Sequence, residues 1–320
     1  TAIKIIMSLK ELSNKKIYLT KEFISYSSSL LHLPIFTSLH SKVDNAKYYT
    51  FEVERYWGFN DVSITAPWLS IKYDFKVFSY ILRMFYKNYE LSKNPYEIDF
   101  SIDNFLKDSE IKTNRIYYIE QMKESIEKLS KITIHFTKDN ERYCCRIINP
   151  SENGSIYNVK QLTGSFKIHV DHNFINFFKH DPDLILNIDQ KELDSINGDF
   201  AKILYTFYKT NQQTRVFEKD IIIQRLKPDA DKAYYRKVFD GIKSAHKSLI
   251  ECGFIKDVKY KKNYNIKEIS HFEITLNDKF IIKETKKEEE EKKKKEAIKP
   301  KRPNLFGDKK DEPVDDDYPF

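Results

Sequence analysis

Two sets of residues in this chain carry chemistry, and in both the chemistry is recognition. The first closes the sequence: Asp315-Asp316-Asp317-Tyr318-Pro319-Phe320. Phe320 can anchor in an apolar pocket, its α-carboxylate can be gripped by an arginine, and the three aspartates add long-range attraction to a basic surface. Together with Pro319 they make a docking peptide for a protein partner. The second set is basic. Residues 231–262 hold nine Lys or Arg against four Asp or Glu, whereas residues 311–320 hold five acids and no base. One end attracts phosphate and the other repels it.

Catalytic constellations are weaker. Tyr234-Tyr235 and His169-Val170-Asp171-His172 invite comparison with a nicking tyrosine beside a metal site. His-x-x-His, however, places its imidazoles on opposite faces of a strand or about one helical turn apart, and Tyr235 falls on an apolar stripe. Asp229-Ala230-Asp231 follows Pro228 at a helix start, where Asp serves as a cap rather than as a two-metal pair. With 7 glycines and no G-x-x-x-x-G-K-[ST] or G-x-G-x-x-G string, ATP hydrolysis is not expected. Cys144 and Cys145 are adjacent and Cys252 is remote, a spacing that suits neither a zinc site nor a disulfide framework. The expectation is a non-enzymatic, cytoplasmic, reduced protein without cofactor or metal. No apolar run approaches the roughly 18 residues a bilayer crossing needs, so no membrane contact is expected. The first residue is Thr, and Met7 is read as a natural start.

The elements that must position these residues recur. The net charge is +7, and 23 Phe and 21 Tyr over 320 residues supply core for two domains and a tail. From Trp68 an amphipathic helix carries Phe78, Ile81, Leu82 and Phe85 at helical spacing. Ser101 is a plausible N-cap before Ile102, Phe105 and Leu106, and a longer helix from about Asn114 to Leu129 buries Ile119, Met122, Ile126 and Leu129. Lys131 to Thr137 and Arg142 to Ile148 flank a polar Lys138-Asp139-Asn140-Glu141 turn and read as a hairpin. Three helices and a hairpin describe a winged helix.

The same order returns about 120 residues later. Phe200, Ile203, Leu204 and Phe207 make a first helix, and Asp220 to Leu226 a short second one. Asp231 to Cys252 make a long third helix, stopped by Gly253. A strand at Phe254 to Tyr260, a basic Lys261-Lys262-Asn263 tip and a return strand at His271 to Leu276 form the wing. The fold class is therefore α+β, two tandem winged-helix domains at 30–180 and 181–282 from an internal duplication. An extension at 1–29 precedes them. A charged linker at 283–310 and an acidic tip at 311–320 form a disordered tail.

A helix-turn-helix presents the outward side chains of its third helix to the major groove. In the second copy these are Ala233, Arg236, Lys237, Ser244 and Lys247, supported by Lys259, Lys261 and Lys262 on the wing. Arg236 can fork onto guanine or phosphate, and the lysines suit phosphates. In the first copy the matching face holds Asn114, Tyr117, Gln121 and Lys128. Its amides can pair with adenine, but Glu120, Glu124 and Glu127 dilute the charge. That helix is the weaker reader, and homodimerisation is its alternative role.

Two resemblances follow from these residues. Tandem winged helices preceded by Leu33-Pro34-Ile35-Phe36-Thr37-Ser38, with Ala66-Pro67-Trp68-Leu69-Ser70-Ile71-Lys72-Tyr73-Asp74-Phe75 leading into the first helix, resemble plasmid replication initiator proteins over residues 30 to 280. That likeness implies binding to repeated sites in double-stranded origin DNA, help in melting adjacent AT-rich duplex, and recruitment of the host helicase and replisome. The last residues resemble the C-terminal tip of bacterial single-stranded-DNA-binding protein (SSB), which implies host replication proteins as partners of Asp315, Asp316, Asp317, Pro319 and Phe320. The tip is not a usual feature of the initiators. In the linker, Glu288 to Glu291 precede Lys292 to Lys295 by four residues, which favours a short exposed helix before Pro300 and Pro303 break it. Asn304-Leu305-Phe306 weakly resembles a sliding-clamp-binding peptide. A winged-helix transcriptional repressor and a rolling-circle nicking enzyme are the alternatives to an initiator.

Overall fold

The computed structural model describes residues 23–27, 31, 35–38, 48–56, 59–91, 93–112, 114–149, 165–175, 185–211, 215–227, 235–262 and 268–277. These residues all belong to one compact unit. The docking tip, the charged linker, Asp229 to Tyr234 and Asn263 lie outside the described residues.

In chain order the elements are β1 (Phe23–Ser27), β2 (Phe36–Thr37), β3 (Tyr48–Tyr56), β4 (Phe59–Pro67), β5 (Leu69–Ser70), α1 (Asp74–Glu90), β6 (Glu97–Ser101), α2 (Ile102–Asp108), α3 (Arg115–Ser130), β7 (Thr133–Lys138), β8 (Glu141–Cys145), β9 (Ile148–Asn149) and β10 (Ser165–Val170). A 3-10 turn at His172–Ile175 follows. Then come β11 (Ile185–Asp189), α4 (Gln190–Ser195), α5 (Asp199–Thr210), β12 (Val216–Glu218), α6 (Lys219–Leu226), α7 (Tyr235–Glu251), β13 (Ile255–Lys262) and β14 (Ile269–Leu276). The order helix, strand, short helix, long helix, hairpin occurs twice, at α1-β6-α2-α3 and α5-β12-α6-α7. The fold is α+β with tandem winged-helix modules.

Local chemistry explains the boundaries. The Ser101 hydroxyl accepts the Asn104 amide at 3.3 Å and caps α2. At the end of α7, Gly253 adopts φ 73. Its amide donates to the Ile250 carbonyl at 2.9 Å and that of Phe254 to the Leu249 carbonyl at 3.0 Å. This is the paired closure that a left-handed glycine permits. Between β7 and β8, Asp139 and Asn140 both take positive φ, 51 and 65, and Lys138 pairs with Glu141. A two-residue turn of this hand matches strand twist.

Two expectations are corrected. The first helix starts at Asp74 rather than at Trp68. Leu69-Ser70 instead lies parallel to Phe36-Thr37, and the Asp74 carboxylate accepts the Ser70 amide at 2.6 Å, which fixes the turn into the helix. The first hairpin does not act as a wing in the manner of the second. β7 and β8 extend a β3-β4 hairpin into a four-stranded sheet of order β3-β4-β7-β8. Residues 148–149 leave for a separate sheet, β6-β10-β9, whose order matches β12-β14-β13 of the second module. The β4 edge is open to β7, and pairing there satisfies backbone groups that an edge strand would expose.

The modules share one core. β1 pairs antiparallel with β11, so a strand from residues 1–29 is bound at the start of the second module. Arg225 of α6 is buried and donates to the carbonyls of Phe36 at 2.8 Å and Leu31 at 3.0 Å. The Ser38 hydroxyl donates to the Leu226 carbonyl at 3.3 Å. Phe36 packs edge-on against Phe75 of α1, with ring centroids 5.0 Å apart. The two segments that carry the initiator resemblance thus meet each other and the second module.

Candidate nucleic-acid interface

The long helix of the second module separates its faces cleanly. Val238, Ile242, Ala245, His246 and Leu249 are buried, while Arg236, Lys237, Asp240, Lys243, Ser244, Lys247 and Glu251 are exposed. The exposed set recurs at helical spacing and forms one continuous stripe. Among the described residues no acidic side chain pairs with Arg236 or Lys237. Lys247 lies 3.8 Å from Glu251, and Lys243 lies 3.6 Å from Asp240. These exposed pairs are weak and leave the cations usable.

The wing alternates in the same sense. Along β13, Lys259, Lys261 and Lys262 are exposed while Val258 and Tyr260 turn partly inward. Lys261 is 2.7 Å from Glu273, so part of its charge is already answered. Two of the wing's inward residues are fixed by α7. Tyr260 and Phe272 face each other across β13 and β14, and Phe272 stacks on Phe239 at 6.1 Å.

Beneath the wing a buried chain of polar groups joins three elements. His246 Nε2 is 2.8 Å from the Tyr208 hydroxyl and Nδ1 is 3.0 Å from the Tyr260 hydroxyl. A neutral imidazole supplies one donor and one acceptor, so both contacts are satisfied without charge. Burial lowers the His246 pKa from its ordinary 6.5 to about 4. Between pH 6.5 and pH 4 the unfolded chain binds a proton that the folded one refuses, so stability is lost as pH falls through that window. The expected loss between pH 7 and pH 5 is about 2 kcal/mol, read from urea unfolding at the two pH values. His246→Gln keeps donor and acceptor without titrating and should remove most of that difference. An undiminished difference in the variant would assign the acid sensitivity elsewhere.

The first module differs. Asn114 is exposed and precedes α3 with left-handed backbone, φ 53, and its side chain makes no capping hydrogen bond. Tyr117 is 48% exposed, with its hydroxyl 3.4 Å from that of Tyr73. Gln121 and Lys128 are buried and do not belong to an outward face. Lys128 sits at 0% exposure with its ammonium 3.4 Å from Asp74 Oδ2, and the Ser125 hydroxyl donates to Asp74 Oδ1 at 2.5 Å. The helix is turned so that its second half packs on the start of α1, which carries Lys128 inward to a carboxylate. Ile116, by contrast, is 79% exposed. It escaped notice in the sequence because an apolar residue in an amphipathic helix is ordinarily assigned to the core; its register against Arg236, 120 residues on, was the available signal.

The remaining chemistry-bearing residues stand apart. His169 lies on β10, and the His172 ring packs tilted against Tyr96 with ring centroids 4.0 Å apart. Tyr235 packs partly buried against the core. Among the described residues no group of three His, Cys, Asp or Glu side chains could hold a metal ion, and no helix is long and apolar enough to cross a membrane.

No protein family matches the chain. No curated protein matches it either. Among solved structures, a selenomethionine crystal structure of domains 2 and 3 of RctB matches with TM-score 0.49 and 12% identity, covering 78% of this chain and 98% of that one. A second crystal structure of RctB domains 2 and 3 matches at 0.47 with 11% identity over 77% and 96%. The Pi initiator protein in complex with iteron DNA matches at 0.37 with 12% identity over 57% and 82%. Scores below one half carry no inference about what this chain does.

Proposed function

We propose that this chain is a sequence-specific, non-enzymatic binder of double-stranded DNA that initiates replication of a plasmid or similar replicon. The observation that carries the reading is the continuous exposed stripe of α7, with Arg236, Lys237, Ser244 and Lys247, beside a wing that turns Lys259, Lys261 and Lys262 outward. A helix of this kind enters the major groove while the wing lysines hold phosphates. Two modules locked together by Arg225 and Ser38 would place two readers on one duplex at fixed spacing. Host replication proteins would be recruited by the acidic tip ending in Phe320, tethered at high local concentration by the charged linker.

The division of labour is testable. Deleting Phe320 should leave duplex affinity unchanged and abolish replication of a plasmid that carries the binding repeats and depends on this chain supplied in trans. Equal loss of binding and replication would refute it. A chain that binds its site yet never supports replication would be a repressor.

A further inference from the structure

The modules offer different chemistry from the same two positions. The 120-residue register holds along the third helices: Met122 and Ile242, Ser125 and Ala245, Ile126 and His246, and Leu129 and Leu249 are buried in both. It sets Ile116 against Arg236 and Tyr117 against Lys237, and all four are exposed in the first turn. Where the second module presents cations, the first presents an isoleucine and a tyrosine. The neighbouring Arg115 is ion-paired with Asp103 of α2. Tyr117 leans on Tyr73, ring centroids 6.3 Å apart. The turn therefore carries one cation, Arg115, where the first turn of α7 carries two.

We infer that the first module reads A·T pairs in the major groove, with Ile116 against thymine methyl groups and Asn114 paired to adenine. This rests on the proposed duplex binding. An isoleucine side chain has no hydrogen-bonding group, and the one apolar feature on a major-groove base edge is the thymine C5 methyl. The Asn114 amide, free of capping duty two residues earlier, has the donor and acceptor that match adenine N7 and N6. The first module thus adds composition to the site, and the second supplies most of the charge attraction.

The test uses uracil, which is thymine without the methyl group. Duplexes bound by the full chain are selected from a random library, and thymines in the best sequence are replaced by deoxyuridine one at a time. For the wild-type chain, affinity should fall about 4-fold per contacted methyl in one segment of the site. In Ile116→Ala that penalty should shrink to less than 2-fold while other positions keep theirs. Enrichment of a duplex whose affinity is indifferent to uracil throughout would overturn the inference and leave duplex binding standing. So would an Ile116→Ala variant that changes only the oligomeric state, which would make the face a contact between copies. Failure to enrich any duplex would overturn both readings. Because Ile116 is 79% exposed, the variant should fold normally.

Discussion

Asp74→Ala should destabilise the protein by about 3 to 5 kcal/mol. Lys128 is fully buried, and its ammonium lies 3.4 Å from Asp74 Oδ2. The same carboxylate accepts the Ser70 amide and the Ser125 hydroxyl. Removing it strands a cation in the interior and takes the acceptor from the Ser70 amide, while the Ser125 hydroxyl keeps the Gln121 carbonyl at 2.8 Å; the stranded cation is the costlier consequence. A typical domain has only about 5 to 15 kcal/mol to lose, so urea unfolding should report a large shift in midpoint. The companion experiment identifies the cause. Asp74→Ala combined with Lys128→Met removes the stranded charge and keeps the volume, and should be more stable than Asp74→Ala alone by about 2 kcal/mol. If the double variant is as unstable as the single one, the loss comes from the capped turn at Ser70 rather than from the cation. This site also removes Lys128 from the DNA-facing set, so Lys128→Met on its own should alter stability before it alters binding.

The second large effect belongs to the interface. Arg236→Ala with Lys237→Ala should weaken binding to the selected duplex by about 10-fold to 100-fold, with stability unchanged within about 0.5 kcal/mol because both residues are exposed. The two halves of the loss separate. If Arg236 forks onto guanine, its removal relaxes preference at one base pair by about 1 to 3 kcal/mol. Lys237→Ala weakens all sequences alike and lowers the salt slope by about one. Lys261→Ala should cost less than Lys262→Ala, because Glu273 already answers part of the Lys261 charge in the free protein. Affinity within 2-fold of wild type in the double variant would remove α7 from the interface.

Much of this architecture is legible in the sequence, and the gaps have physical reasons. Helical spacing of Phe78, Ile81, Leu82 and Phe85, the Ser101 cap and the Gly253 stop mark helices whose local signals agree with their tertiary setting. The β3-β4 hairpin is legible too, since Val62, Ile64 and Ala66 alternate inward along β4. What no local pattern carries is sheet membership. Nothing in Arg142 to Ile148 says that residues 141–145 join β7 while residues 148–149 join β10, because both partners are set by long-range pairing. Lys128 was misread for a similar reason. A lysine on a helix is ordinarily outside, and only the approach of Asp74 across the module makes an inside position tolerable. The exposure of the α7 stripe is legible because it needs no distant partner: Arg236, Lys237, Ser244 and Lys247 lie opposite a buried stripe on the same helix.

The central claim is that the second module holds duplex DNA through its phosphates, and the salt dependence of binding tests it most directly. Affinity of the full chain for its selected duplex should fall about a thousandfold or more between 50 and 200 mM salt if about six phosphates are neutralised. An affinity that stays flat over that range would contradict the account.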